Sequence, residues 1–278
     1  LKIKINDKGL KLKQNIDLNV SIHDIDSAEG LVTLKTTAKS LPSIVSLIPC
    51  SVINPKPIST RIEEIMNAYV IDMSLKTCVE HFLLRQRPAF KTDYGEDLSQ
   101  WAPTTLESLI LAIGELDHSY FCIQGPPGTG KTYSGARIIN SLVEKGMKVG
   151  VASNSHKAVN NMLEAVIEDM NERDIEGMVG KVHNKNDDLL YENARIVLKK
   201  SPKDMSLNEV VVVGGTAWTF ANDSFIDQLD YLFIDEAGQV SLANMIGMSA
   251  SCKNIILIGD QMQLANPSQG MHPENSGD

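Results

Sequence analysis

The sequence predicts an α/β fold with a parallel sheet in its C-terminal part, preceded by a smaller β-rich region. Two observations predict the sheet: from Ser119 onward short apolar runs alternate with helical patterns, and each run is followed at once by polar or glycine-containing sequence. The candidate strands are Tyr120–Ile123, Lys148–Ala152, Val210–Val213, Tyr231–Ile234 and Ile255–Ile258. Because ligands of open α/β sheets gather at the carboxyl ends of the strands, we expect the functional residues to follow these runs.

The N-terminal region carries the pattern of short, paired strands. Lys2–Ile5 alternates polar and apolar residues, Asn6–Gly9 supplies a turn, and Leu10–Lys13 alternates again, which is typical of a β-hairpin. Two further alternating runs follow before residue 35. We predict a small β-barrel accessory domain over residues 1–55. The lysines of its strands either contact phosphates or keep an edge strand soluble.

Residues 56–118 predict a helical stalk between the two β-containing regions. A proline-rich linker ends at Pro57, and apolar residues then recur every three to four positions from Ile58 to Leu84. A second helix is predicted from Thr104 to Leu116, after a loop. The α/β domain then spans residues 119–278.

Composition excludes few functions. The chain has 278 residues with 42% hydrophobic and 22% charged residues, which is typical of a globular protein. Its net charge of −9 argues against nucleic-acid binding by overall electrostatics but leaves room for a local groove. No apolar run approaches the length of a membrane span, and no signal peptide is visible. The four cysteines show no C-x-x-C spacing, so we expect reduced core residues in a cytoplasmic protein.

The most specific motif is a glycine-rich loop with the pattern G-x-x-x-x-G-K-[ST]. Such a loop curls its backbone N–H groups around a phosphate, its lysine reaches the β- and γ-phosphates, and its last hydroxyl binds Mg²⁺. A strand-like run precedes the loop and a helical pattern follows it, which is the context that the motif requires. The predicted ATP-binding residues are Gly125, Pro126, Pro127, Gly128, Thr129, Gly130, Lys131 and Thr132.

Two adjacent carboxylates follow the candidate strand Tyr231–Ile234. Asp235 lies where an aspartate holds Mg²⁺ together with the loop hydroxyl of Thr132, and Glu236 is suited to orient and deprotonate an attacking water. A helix cap or an exposed turn would explain such a pair in isolation. Their position about a hundred residues after a phosphate loop favours the catalytic interpretation.

Polar residues also follow three other strands. The small polar residues Ser153–His156 lie at a predicted helix N-terminus, where free N–H groups can bind a phosphate backbone. Capping by Ser153 and Asn154 would explain these two residues equally well. Thr216 follows the run Val210–Val213 in a similar way. Gln263 follows the last run with a side chain that can sense a γ-phosphate, although a loop glutamine needs no such role.

Taken together, these motifs resemble the first motor domain of superfamily 1 helicases, in the 5′-to-3′ branch with the Asp-Glu-Ala-Gly-Gln motif. The resemblance rests on Gly125–Thr132, Asp235–Gln239 and Gly259–Leu264, in that order and at similar spacing. Asn154–Ala158 and Gly214–Trp218 resemble bacterial helicases that are fused to a RecB-like nuclease.

The resemblance implies a P-loop NTPase fold with a RecA-like parallel sheet, and a function. Lys131, Glu236 and Gln263 would be catalytic, Thr132 and Asp235 would bind Mg²⁺, and ATP would be the nucleotide. Ser155, His156 and Thr216 would contact single-stranded nucleic acid, with DNA favoured over RNA. The glutamine that reads adenine in this branch has no clear counterpart, since Glu107 or Ser108 stands near its place.

The sequence therefore predicts an ATP-hydrolysing motor domain that translocates on single-stranded nucleic acid when a second RecA-like domain completes it. We expect a fragment that ends after its third motif, without the arginine finger of the second domain and without a nuclease signature. Two alternatives are a P-loop phosphotransferase and a nucleic-acid-binding module with a relict ATP site. The Asp-Glu-Ala-Gly-Gln stretch argues against the first, and the intact Lys131, Asp235 and Glu236 argue against the second.

Overall fold

The computed structural model describes residues 8–14, 16–26, 31–36, 47–49, 54–92, 103, 105–126, 128–183 and 193–260. The chain divides into two compact units, residues 1–55 and residues 56–278. Of the predicted site residues, Pro127 and Gln263 lie outside the described residues.

The first unit contains a four-stranded antiparallel sheet. Its strands are β1 (Lys8–Gln14), β2 (Ile16–Asp26), β3 (Leu31–Thr36) and β4 (Leu47–Pro49), in the order β3-β2-β1-β4. Lys8 and Gly9, predicted in the hairpin turn, belong to β1 instead, whereas Lys2–Asp7 lie outside the described residues. β1 pairs with β2 in antiparallel register from Lys8 to Gln14, where Gln14 pairs with Ile16. Since β3 and β4 form the two edges among the described strands, closure into a barrel stays a prediction.

The second unit contains a seven-stranded parallel sheet with helices on both faces. Its strands are β5 (Tyr120–Gln124), β6 (Val149–Ala152), β7 (Val179–Val182), β8 (Ile196–Lys199), β9 (Val212–Gly215), β10 (Leu229–Ile234) and β11 (Cys252–Gly259). The strand order is β5-β11-β10-β6-β9-β7-β8, and all neighbouring strands pair in parallel. The predicted α/β fold with a parallel sheet is therefore confirmed.

Among the described residues, three helices precede the strands of this sheet and four lie between them. They are α1 (Ile58–Asp72), α2 (Glu80–Leu83), α3 (Leu106–Gly114), α4 (Lys131–Glu144), α5 (His156–Glu172), α6 (Ala217–Phe220) and α7 (Leu242–Ser249). The helical pattern to Leu84 is interrupted after α1, because Met73 takes a left-handed conformation that ends the helix. Thr105 and Ser108 form a capping box that begins α3 close to its predicted start.

Residues of the central strands alternate between two apolar cores. Along β10, Tyr231 and Phe233 belong to the core under α3, α4 and α5, whereas Leu232 and Ile234 belong to the core under α1, α6 and α7. All four side chains are at most 2% exposed. Burial on both faces explains why these strands read as continuous apolar runs in the sequence.

A polar contact inside the first core joins α4 to α5. The Asp169 carboxylate is 5% exposed, accepts a hydrogen bond from Asn140 Nδ2 at 2.8 Å and lies 2.8 Å from Arg137 Nε. Asn140 also donates to the carbonyl of Val166 at 2.9 Å. Because Asp169 is buried, loss of its carboxylate should cost stability, since Asn140 and Arg137 would lose this partner.

The cysteines differ from the expectation in one case. Cys78 and Cys252 are buried, with their Sγ atoms 3.7 Å apart, and burial raises the pKa of the Cys252 thiol well above its usual value. Cys122 was expected in the core but is exposed, because β5 is an edge strand of the sheet. Cys50 lies outside the described residues.

In the part of the chain that the structure describes, no helix is both long and apolar enough to cross a membrane. The same residues contain no cluster of three or more His, Cys, Asp or Glu side chains arranged to hold a metal ion.

Candidate nucleotide-binding site

The glycine-rich loop joins the end of β5 to the start of α4, at the carboxyl edge of the sheet. Gly128 and Gly130 have φ values of +82° and +79°, and a Cβ atom at either position would meet nothing within 4 Å. Glycine is therefore required there for its backbone conformation and not for space. The amide of Gly125 donates to the carbonyl of Gly259 at 3.1 Å, which ties the loop to the end of β11.

Lys131, the first residue of α4, folds back over this loop. Its Nζ atom donates to the carbonyl oxygens of Gly125 at 2.5 Å and of Pro126 at 2.8 Å. Thr129 Oγ1 donates to the same Pro126 carbonyl at 2.8 Å. The ammonium group is thus held at the mouth of the loop by neutral acceptors, which an anionic phosphate oxygen can replace.

β10 delivers the two carboxylates to the same edge. The amide of Asp235 donates to the carbonyl of Ala152 at 2.9 Å, which continues the pairing of β10 with β6 for one residue. Asp235 Oδ1 accepts a hydrogen bond from the Glu236 amide at 2.9 Å. Glu236 itself is left-handed, with a φ of 53°, an unfavourable conformation for a residue with a side chain.

Burial of Asp235 sets its protonation behaviour. Burial raises the pKa of the Asp235 carboxyl above its usual value, and the neighbouring Glu236 carboxylate raises it further. The hydrogen bond from the Glu236 amide and the charge of Lys131 act in the opposite direction but do not cancel the effect of burial. A cation beside Asp235 would favour the ionised carboxylate and lower this pKa.

Loop and carboxylates share one cavity of about 450 Å³. Its lining residues are Gly128, Gly130, Lys131, Thr132, Ala158, Asn161, Asp235, Glu236 and Gly259. Thr132 and Asp235 present a hydroxyl and a carboxylate to the same space. Mg²⁺ prefers oxygen ligands and is usually held by one or two protein groups together with phosphates and waters, so this donor set fits Mg²⁺.

The three residues predicted to contact single-stranded nucleic acid lie along the same edge of the sheet, after the neighbouring β-strands β6 and β9. Ser155 and His156 follow β6, and Thr216 follows β9, whose last residue pairs with Ala152 of β6. The exposed Ser155 also caps α5, since its Oγ accepts a hydrogen bond from the Ala158 amide at 3.1 Å. Thr216 precedes α6 without a side-chain capping bond. Gln263, the predicted γ-phosphate sensor, lies outside the described residues.

Two asparagines at this edge of the sheet were not predicted as site residues. Asn161 of α5 lines the cavity beside the phosphate loop, and the only signal for it was its place one turn after the predicted helix start. Asn154, considered only as a cap or a phosphate contact, donates its side-chain amide to the carbonyl of Gln239. That hydrogen bond joins the loop after β6 to the turn after β10.

A parallel sheet in this strand order, with a glycine-rich loop between an edge strand and a helix, is a RecA-like P-loop fold. Residues 108–273 match the family model described as an AAA domain. The match covers more than half of the chain, so the chain belongs to this family.

Curated relatives make the likeness more specific. Over 151 residues the chain is 33% identical to "DNA replication ATP-dependent helicase/nuclease DNA2" of Saccharomyces cerevisiae, covering 52% of this chain and 10% of the relative. The protein of the same description from Homo sapiens is 28% identical over 155 residues, covering 54% and 14%. These relatives confirm the resemblance to helicases that the motifs predict. The chain spans only a small part of their length.

Among solved structures, the complex of Arterivirus nonstructural protein 10 (helicase) with DNA is similar, with a TM-score of 0.36 and 14% identity. The match covers 56% of this chain and 32% of that protein. Such a partial likeness carries no conclusion about function.

Proposed function

We propose that this chain is the ATP-binding and ATP-hydrolysing motor domain of a superfamily 1 helicase. The observation that carries the proposal is the single cavity that joins the phosphate loop to Asp235 and Glu236. A loop that binds phosphates and a carboxylate that activates water are useful together only where a phosphoryl bond is broken. Similarity to ATP-dependent helicase/nucleases over about half of the chain supports the same conclusion.

Each group in the cavity has a distinct task. The loop amides and Lys131 bind the triphosphate, and Lys131 exchanges the Gly125 and Pro126 carbonyls for phosphate oxygens. Thr132 and Asp235 would hold Mg²⁺, which would supply neutralisation of the phosphate charge when bound. Glu236 orients the attacking water and accepts its proton.

In this proposal, nucleic acid is bound by residues at the same edge of the sheet as the nucleotide cavity. Ser155, His156 and Thr216 contact single-stranded nucleic acid, DNA in preference to RNA, and Gln263 couples this contact to the γ-phosphate. Their position after the neighbouring strands β6 and β9 supports a continuous contact surface. DNA is favoured because the curated relatives are described as DNA replication proteins.

Within this proposal, residues 1–55 form an accessory β-barrel domain, residues 56–118 a stalk, and residues 119–278 the first RecA-like domain. Translocation requires a second RecA-like domain that closes on ATP, and a nuclease domain accompanies the motor as in the relatives named above. We expect the protein to act in the cytoplasm.

The test is ATP turnover by the motor domain completed with its second RecA-like domain, measured without a strand, with oligodeoxythymidine and with oligouridine. We expect stimulation by the strands, stronger for DNA. No arginine lines the cavity among the described residues, so the 278-residue chain alone should turn over ATP slowly and unwind nothing. Unwinding by the chain alone, or no stimulation of the completed motor, would contradict the proposal.

A further inference from the structure

The turn that carries Glu236 has an unfavourable backbone and therefore needs support. Glu236 is left-handed, and the residues after it, Ala237–Gln239, form a single 3-10 turn in which the Gln239 amide donates to the Glu236 carbonyl at 2.8 Å. A non-glycine residue keeps such a conformation only where surrounding contacts hold it. The direction in which the Glu236 carboxylate points depends on those contacts.

One side of the turn is held by close packing against β11. A Cβ atom at Gly259 would lie 3.3 Å from the amide nitrogen of Ala237 and 3.4 Å from that of Gly238. A Cβ atom at Gly238 would in turn lie 3.4 Å from the carbonyl oxygen of Asp260. The backbones approach so closely that the turn cannot move toward β11.

The other side is held by Asn154. Its side-chain amide donates to the carbonyl of Gln239, the last residue of the turn. Asn154 lies two residues after β6, the strand that pairs with β10 immediately before the carboxylates. It also directly precedes Ser155, which the proposed function assigns to contact with single-stranded nucleic acid. The Asn154 side chain thus connects the residues proposed to contact nucleic acid to the turn that carries Glu236.

We propose that Asn154 is a positioning residue: its hydrogen bond to Gln239 holds the turn in the conformation that orients Glu236, and it transmits strand contact at Ser155 and His156 to the catalytic carboxylate. This inference rests on the proposed function and adds a residue that lies outside the nucleotide cavity. Loss of the bond frees one end of the turn while the phosphate loop is unchanged. Binding and hydrolysis should therefore respond differently.

Two variants remove the bond in different ways. Asn154→Ala deletes the amide, and Asn154→Asp keeps its shape but replaces the donor by an acceptor. Asn171, an exposed asparagine of α5 outside the cavity, provides matched controls as Asn171→Ala and Asn171→Asp. Both positions, 154 and 171, are exposed, so the folded protein should tolerate all four variants.

Single-turnover hydrolysis and the affinity for a fluorescent non-hydrolysable ATP analogue are measured together, on the motor completed with its second RecA-like domain. A displaced catalytic group costs on the order of 10²-fold in rate. We expect hydrolysis by both Asn154 variants to fall about 10- to 100-fold with the analogue affinity unchanged. Rates equal to those of the Asn171 controls would overturn the inference. A parallel loss of affinity would also overturn it, since Asn154 would then shape the nucleotide site itself.

The coupling is measured in the motor completed with its second RecA-like domain. Single-stranded nucleic acid should no longer stimulate ATP turnover in Asn154→Ala, whereas Asn171→Ala should retain the stimulation of the parent. Equal stimulation in both variants would overturn the coupling. Failure of the proposed function looks different: Lys131→Ala would then turn over ATP as fast as the parent, whatever residue 154 is.

Discussion

Lys131→Ala is the substitution whose effect the structure predicts most directly. In the parent, Lys131 Nζ donates to the carbonyl oxygens of Gly125 and Pro126 at 2.5 Å and 2.8 Å. The bond to Pro126 is exposed and the bond to Gly125 is half-buried, so water can reach both acceptors in place of the ammonium. The variant should therefore fold as the parent does, and its effect should appear when a nucleotide binds.

The magnitude follows from an exchange of hydrogen bonds. Two bonds from the ammonium to phosphate oxygens contribute about 3–6 kcal/mol, at about 1.5–3 kcal/mol for each charged pair. The two carbonyl bonds are charged on the donor side only, so we take their release to cost about 1–2 kcal/mol each, or about 2–4 kcal/mol together. The difference of about 1–2 kcal/mol corresponds to about 5- to 30-fold in affinity.

Equilibrium titration of a fluorescent ATP analogue with Mg²⁺ measures this loss. Lys203→Ala removes an exposed lysine far along the chain from the loop and serves as the matched control. Thermal unfolding of the two variants checks that both are folded. An affinity of Lys131→Ala within about twofold of the control would refute the assignment of Lys131 to the phosphates.

Three further predictions concern stability. Asp235→Asn should raise the melting temperature at neutral pH, because burial raises the pKa of the Asp235 carboxyl and the folded parent must bury its charge. The gain should disappear as the pH falls below 3.8, the ordinary pKa of this carboxyl in the unfolded chain, since the parent then carries no charge in either state. Gly130→Ala and Gly146→Ala should each cost about 1 kcal/mol in urea unfolding, since both have a positive φ in open space, but only the first should weaken nucleotide binding. Asp169→Ala should cost about 2–3 kcal/mol in the same assay, because it leaves Asn140 without its carboxylate partner; an unchanged midpoint would contradict this.

The fold could be predicted where strand patterns are purely apolar. The runs Tyr231–Ile234 and Ile255–Ile258 lie within β10 and β11 because both faces of those strands are buried, so periodicity is not needed to recognise them. The strand predicted at Val210–Val213 lies two residues later, at Val212–Gly215, since pairing with β6 extends to the glycines.

Two strands, β7 and β8, were missed for a physical reason. Lys181 stands inside β7 and is 0% exposed, and a lysine in a short run reads as a loop. Its Nζ donates to Asn160 of α5, a tertiary contact that satisfies the buried amine and that spacing along the chain cannot reveal. β8 also contains a lysine, Lys199, which is its last residue.

The same limit applies to the site. Two local motifs supply the predicted nucleotide-site residues, Lys131 with Thr132 and Asp235 with Glu236. The structure brings all four to one cavity. By contrast, the bond between Asn154 and Gln239 joins residues 85 positions apart, so no local pattern indicates it. Local motifs identify groups that act on the nucleotide, whereas the groups that orient them depend on the packing of neighbouring strands.

Glu236→Gln tests the central claim, that this cavity hydrolyses ATP with Glu236 as the base. The side chain keeps its size and loses its ability to accept a proton. Analogue affinity and single-turnover hydrolysis are measured on the same preparation of the motor completed with its second RecA-like domain. We expect affinity to be retained and hydrolysis to fall by about 10²-fold or more. Unchanged hydrolysis, or an equal loss of affinity and hydrolysis, would show that Glu236 is not the base.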